Sequence, residues 1–159
     1  MTPITIYTDG SSRGNPGPGG YGAILMAGSH RKELSGGYRL TTNNRMELMA
    51  VIKALEALKK SGMALTIYSD SQYIVNAIEK GWLRKWISTN FAGGKKNRDL
   101  WMQYAKLAGQ HRVKFVWVKG HADNPFNNRC DVLATEAADS KLLEVDHGFE
   151  ELESGGLFK

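Results

Sequence analysis

A chain of 159 residues with a formal net charge of +5, 42% apolar and 23% charged side chains, has the size and balance of one soluble domain with a full core. Its single cysteine, Cys130, excludes an internal disulfide framework and suits a reducing compartment. No charged-then-apolar leader opens the chain and no apolar run approaches membrane length, so a cytoplasmic protein is expected.

Alternation of apolar and polar side chains predicts a first strand over residues 4–8, in "ITIYTDG", ending at Asp9. A glycine- and proline-rich run follows, then weaker strand patterns over 21–26 and 32–40 around a short turn at 28–30, as in an antiparallel hairpin. Gly36 and Gly37 inside the later strand mark a bulge. The clearest helix spans 44–60, capped by Asn43 or Asn44, stopped near Gly62, with an apolar stripe of Leu48, Val51, Ile52, Leu55 and Leu58. A strand over 65–68 leads to helices over 71–80, 82–88 and 98–107; a strand over 113–118 precedes a last helix over 127–139. This order gives an α/β domain, a mixed sheet with helices packed on it.

Charge is uneven along the chain. Residues 81–112 carry seven basic side chains against one acid, Asp99, interleaved with Trp82, Trp86 and Phe91. That pattern fits either a nucleic-acid footprint or a solvated helical face. Residues 139–159 hold six acids and two lysines.

Four carboxylates stand where elements meet the expected sheet edge. Asp9 and Asp70 follow similar strands, "IYTDGS" and "IYSDSQ", and side by side they would leave a sheet at the edge where ligands bind in open α/β folds. Glu47 borders the apolar stripe of the main helix, in line with Val51, Ala54 and Leu58; Asp131 shares a helical face with Ala134 and Ala138. Singly, each acid has an ordinary reading as a cap, a dipole partner or a surface group. Together they would repel unless a cation neutralised them, and an all-oxygen set suits Mg²⁺ or Mn²⁺ rather than zinc. His121, in the loop "KGHADNPFNN", could carry a proton to such a site. "GPGGYG" lacks the strand-before, helix-after context of a dinucleotide loop, no Walker-type loop exists, and the histidines lack metal-site spacing.

In this order, "YTDGSSRGNPGPGGYGAIL", "TTNNRMELMA", "SDSQY" and "WVKGHADNPFNNRCDVLA" resemble the bacterial type 1 ribonuclease H family over residues 4–139. The resemblance implies a ribonuclease H-like fold, a five-stranded mixed sheet with helices on both faces, as domain 1–139, followed by an acidic C-terminal tail at 140–159. It implies a monomeric endoribonuclease that hydrolyses the RNA strand of RNA–DNA hybrids, giving 3′-hydroxyl and 5′-phosphate ends, and so removes RNA primers and R-loops. The family's metal ligands fall on Asp9, Glu47, Asp70 and Asp131, around two Mg²⁺ ions for which Mn²⁺ can substitute; Asp9 would bridge both. The mobile-loop histidine falls on His121. Substrate contacts map to Gly10, Ser11, Ser12, Asn15, Asn44 and Gln72, and a DNA-phosphate pocket to Thr42 with Asn43 or Asn44. Trp82 and Trp86 fall in the basic protrusion that grips the DNA strand.

Three departures accompany the resemblance. "ISTNFAGGKKNRD" is a shortened protrusion whose cations are Lys95, Lys96 and Arg98, which implies a weaker grip. Asn128 replaces an acid often found three residues before the last ligand. The tail is unlike the usual family ending, and Leu142, Leu143, Phe149, Leu157 and Phe158 would dock it on the body. Two other classes compete with this reading: DNA-cutting transposases, integrases and resolvases on the same fold, and a non-catalytic hybrid-binding module. The full ribonuclease motif set and the complete carboxylate set weigh against them.

Overall fold

A computed structural model describes residues 3–120 and 123–153. Its strands are β1 (Ile4–Ser12), β2 (Gly17–Ala27), β3 (His30–Thr41), β4 (Ala64–Ser69) and β5 (Arg112–Trp117). Its helices are α1 (Asn43–Glu56), α2 (Gln72–Glu79), α3 (Trp82–Ser88), α4 (Arg98–Ala108), α5 (Pro125–Ala138) and α6 (His147–Glu153).

The strands form one mixed sheet in the order β3-β2-β1-β4-β5. β1, β2 and β3 make an antiparallel meander, whereas β4 runs parallel to both β1 and β5. Parallel neighbours need crossovers, supplied by α1 before β4 and by α2–α4 before β5. Neighbouring glycines on β2 show how the helices are placed. A side chain on Gly19 would run into Thr41 and Met46, and one on Gly20 into the backbone of Ala134 and Ala138. Successive residues of a strand face opposite ways, so α1 and α5 cover opposite faces. The main core lies on the α1 side, where Ile4, Ile6, Leu65 and Ile67 meet Leu48, Val51, Ile52 and Leu55, extending to Trp101 and Tyr104 of α4.

Several local expectations change. β1 does not stop at Asp9 but continues to Ser12, and the glycine-rich run is itself strand from Gly17. The glycines are needed for close packing: Gly20 and Gly22 let α5 approach β2, and Gly10 lies against the α1 backbone at Met46 and Glu47. The register shift lies at Gly17/Gly19, not at Gly36 and Gly37. Gly36 instead makes room for the Tyr21 ring. α1 is capped by Thr42, whose Oγ1 accepts from the Arg45 N–H at 3.3 Å, rather than by Asn43 or Asn44. The helix ends at Glu56, where the Ala57 N–H is shared between the Lys53 and Ala54 carbonyls and the Leu58 N–H turns to the Leu55 carbonyl three residues back. Leu58 is therefore beyond the helix, partly buried against the core.

Helix α6 was not expected from the sequence. Ahead of it, Glu144 bonds to the β3 edge, its N–H donating to the Gly37 carbonyl and its carbonyl accepting from the Arg39 N–H, each at 2.9 Å. Asp146 is buried and accepts from Thr41 Oγ1 at 2.7 Å and from Arg45 Nε at 2.8 Å. Arg45, 1% exposed, also forks onto Asp99 of α4 at 2.9 and 2.7 Å, so one guanidinium ties α1, α4 and the C-terminal segment together. Phe149 is buried, while Leu142 is 87% exposed and so does not serve as an anchor. Leu157 and Phe158 lie outside the described residues.

Candidate active site

The site forms where the parallel half of the sheet ends. The last β1–β4 pair is Thr8 with Ser69. Asp9 and Asp70 are the next residue on each chain; β1 goes on through its antiparallel bonds to β2, while β4 stops and Ser71 caps α2. Glu47 joins them from the first turns of α1, brought close because Gly10 lets that helix touch β1. One carboxylate oxygen of each of Asp9, Glu47 and Asp70 lies within 4.8 Å of the other two. Asp131, half-buried on α5 beside the packed Cys130–Ala134–Ala138 face, stands outside that triad but close enough for its charge to act on Asp9.

Two of these carboxyls, Asp9 and Glu47, hold their protons above the ordinary carboxylate range. Burial, then the charges of Asp70 and Asp131, push the Asp9 carboxyl up to about 8. Burial and the charges of Asp9 and Asp70 raise Glu47 well above the usual carboxylate range. Asp9 Oδ1 accepts from the Gly10 N–H at 2.9 Å, but Glu47 Oε1 is buried without any donor. A buried acceptor with no partner is costly. An oxygen-only cluster in which Glu47 also carries a buried oxygen without a donor fits a hard divalent cation such as Mg²⁺ or Mn²⁺.

The other expected site residues fall into groups. Gly10, Ser11 and Ser12 follow Asp9 on β1, and the Gly10 N–H is already spent on Asp9. Asn15 Oδ1 accepts from the Asn43 N–H at 3.0 Å, joining the β1–β2 turn to the start of α1. Asn15, Thr42 and Asn44 line a cavity of about 480 Å³ together with Lys95, Lys96 and Arg98, and with Phe149 of α6. Trp82 and Trp86 line a separate cleft with Lys85 and Lys95; the Lys95 ammonium sits 5.8 Å from the Trp86 ring centre. Gln72 is exposed at the start of α2, one residue beyond the Ser71 cap. His121 lies outside the described residues. Cys130 is buried, its Sγ donating to the Tyr7 carbonyl at 3.4 Å, and burial raises its pKa, which leaves it inert as a nucleophile.

Sequence reasoning missed Trp117. Its indole Nε1 donates to the Asp70 carbonyl at 3.3 Å although the ring is 45% exposed. The available signal was a tryptophan at a solvent-facing position of "KFVWVK". It also missed Asp146, for which no local pattern exists.

Comparison with known proteins matches the ribonuclease H family model, RNase H, to residues 1–139. The chain belongs to the ribonuclease H family. It is 56% identical over 150 residues to the ribonuclease H of Syntrophus aciditrophicus, covering 92% of this chain and 86% of that one. It is 55% identical over 147 residues to the ribonuclease H of Desulforamulus reducens, covering 90% and 92%. Among solved structures, LC9-RNase H1, a type 1 RNase H with the type 2 active-site motif, superposes with a TM-score of 0.81 at 29% identity, over 97% of this chain and 82% of that one. LC11-RNase H1, solved in complex with an RNA/DNA hybrid, superposes with a TM-score of 0.65 at 28% identity, over 86% and 96%. The sheet order and helix placement are thus those of a ribonuclease H-like fold, and the enzyme class is a ribonuclease H hydrolase. No helix among the described residues is long and apolar enough to cross a membrane.

Proposed function

We propose that this ribonuclease H is a divalent-metal-dependent endoribonuclease that cuts the RNA strand of RNA–DNA hybrids by a two-metal-ion route, leaving 3′-hydroxyl and 5′-phosphate ends. The observation that carries the reading is the convergence of one carboxylate oxygen each from Asp9, Glu47 and Asp70, with Glu47 Oε1 buried and without a donor. Asp9, Glu47 and Asp70, with Asp131, would hold the ions, which supply water activation and neutralise charge at the scissile phosphate and its leaving oxygen.

The chain's own residues position the substrate. The Gly10–Ser12 backbone and Gln72 would meet the RNA strand in the minor groove, where the 2′-hydroxyl distinguishes RNA from DNA. Thr42 and Asn15, which line one cavity with Lys95 and Lys96, would take a phosphate of the DNA strand. Trp82 and Trp86, with Lys85 and Lys95, would hold the same strand further along. His121 would move a proton or help product leave. The hybrid-bound relative LC11-RNase H1 supports this substrate class.

The test is cleavage of end-labelled RNA–DNA hybrid, duplex DNA and duplex RNA with Mg²⁺, Mn²⁺ or EDTA. Metal-dependent cutting of the hybrid's RNA strand alone, abolished in Asp9→Asn and Glu47→Gln, is the expected result. Cutting of duplex DNA would move the protein to the resolvase-like class. Hybrid binding without cutting would make it a binding module.

A further inference from the structure

Asp70 differs from its two partners in how it is held. Asp9 is fixed inside β1 with bonds to β2 on one side, and Glu47 is fixed inside a helix. Asp70 sits just past the end of β4, half-buried. What confines it comes from the end of β5. The Val118 N–H donates to the Ser69 carbonyl at 2.9 Å, extending the ladder one residue past β5. Trp117 Nε1 donates to the Asp70 carbonyl. The chain then passes Gly120 so closely over the carboxylate that a Cβ there would stand 2.8 Å from Asp70 Oδ2 and 3.5 Å from its Cγ.

Gly120 does not need to be glycine for its backbone. Its φ lies outside the left-handed region, so alanine would fit the main chain. Among the described residues, the atoms nearest to a side chain there are those of Asp70.

We propose that Gly120 is a positioning residue for Asp70: the bare backbone lets the β5 end close onto the carboxylate and holds it in the orientation that faces Asp9 and Glu47. Trp117 assists by pinning the carbonyl of the same residue. The inference rests on the carboxylate site being a divalent-cation site. A methyl at position 120 must turn the Asp70 carboxylate or lift the loop that confines it, and either change frees the carboxylate from that orientation while sparing the core.

The experiment is a double-mutant cycle read by Mn²⁺ binding, followed by electron paramagnetic resonance or calorimetry, without substrate. Gly120→Ala is expected to weaken Mn²⁺ binding by about 10-fold, within the range seen when supporting residues of metal ligands are changed. Asp70→Ala is expected to weaken it further. Adding Gly120→Ala to Asp70→Ala is expected to change nothing more, because the atoms it displaces are gone. The thermal midpoint of metal-free Gly120→Ala should match the parent, and its KM for hybrid should hold while kcat falls. Undiminished Mn²⁺ affinity in Gly120→Ala, or an equal loss with and without the Asp70 carboxylate, would overturn the proposal. Absence of Mn²⁺ binding by the parent protein would instead overturn the cation reading of the site.

Discussion

Asp9 and Asp70 occupy equivalent places on neighbouring parallel strands, each one residue past the Thr8–Ser69 pair. The sheet aims both carboxylates at one point, and α1 adds Glu47 from above. Holding them together costs the apoprotein free energy, because like charges meet in a poorly solvated place. The same arrangement makes the site a cation trap, and the consequences are measurable.

Metal-free stability should fall as pH rises. Asp9 has its folded-state pKa raised from 3.8 to about 8, and Glu47 is also raised. The native state therefore keeps protons that the unfolded chain has lost, and stability decreases with pH across that window. Thermal melts in EDTA should give a lower midpoint at pH 8 than at pH 6. Mg²⁺ should recover the loss at pH 8, and Asp9→Asn should flatten the EDTA profile. A profile in EDTA that rises from pH 6 to pH 8 would contradict this account of the site.

The Arg45 network should be costly to break. Removing the Asp146 carboxylate leaves a guanidinium that is 1% exposed with only Asp99 and Asn97 beside it. Loss of one partner from a buried pair costs about 3–5 kcal/mol. Urea unfolding of Asp146→Ala should show a loss near that range, whereas Lys53→Ala, which removes a surface pair with Glu56, should cost less than about 1 kcal/mol.

Acid should loosen the β3–α5 contact before the core gives way. Hydrogen bonds from Arg129 and Arg31 lower the Glu33 carboxyl from 4.5 to about 2. For a depressed carboxyl, the stabilisation is present above the unfolded value and is lost as pH falls toward the folded one. Asp99 acts in the same direction: burial would raise it, but Arg45 outweighs burial and holds it low. Glu33→Gln should therefore lower stability somewhat above about pH 4.5, where that stabilisation is present, and reduce the acid sensitivity of unfolding between about pH 4.5 and 2.

Substrate affinity should carry a modest salt slope. Lys95 and Lys96 line the same cavity as Thr42, at the start of α1. Each lysine that neutralises a phosphate contributes about 0.9 to the slope of log affinity against log salt on a duplex. Lys95→Ala combined with Lys96→Ala should lower the slope by up to about 2 and raise KM, with kcat retained. An unchanged slope would remove both from the interface.

The chemistry-bearing stretches were legible because they are local. The α/β order, the α2–α5 helices and the four acids follow from alternation, caps and short motifs, which depend on residues a few positions apart. The Thr42 cap was missed because three hydroxyl and amide candidates stand side by side and only backbone geometry chooses among them. The glycine-rich start of β2, ahead of the strand expected over 21–26, showed no alternation because its glycines make room for a distant helix: Gly20 meets Ala134, more than 100 residues away. Asp146 read as one more acid in an acidic tail until Arg45 and Thr41 surrounded it.

By itself the sequence determined the kind of site, four carboxylates at element ends with no competing nucleophile or cofactor loop. The tertiary structure alone decided that three of them share one space, with Asp131 at its edge and the Glu47 oxygen left without a donor. The physical reason is that residue type and local pattern set what each group can do. Distance and burial between groups 23 to 61 residues apart, as Asp9, Glu47 and Asp70 are, come from strand register and helix packing, which no local pattern encodes.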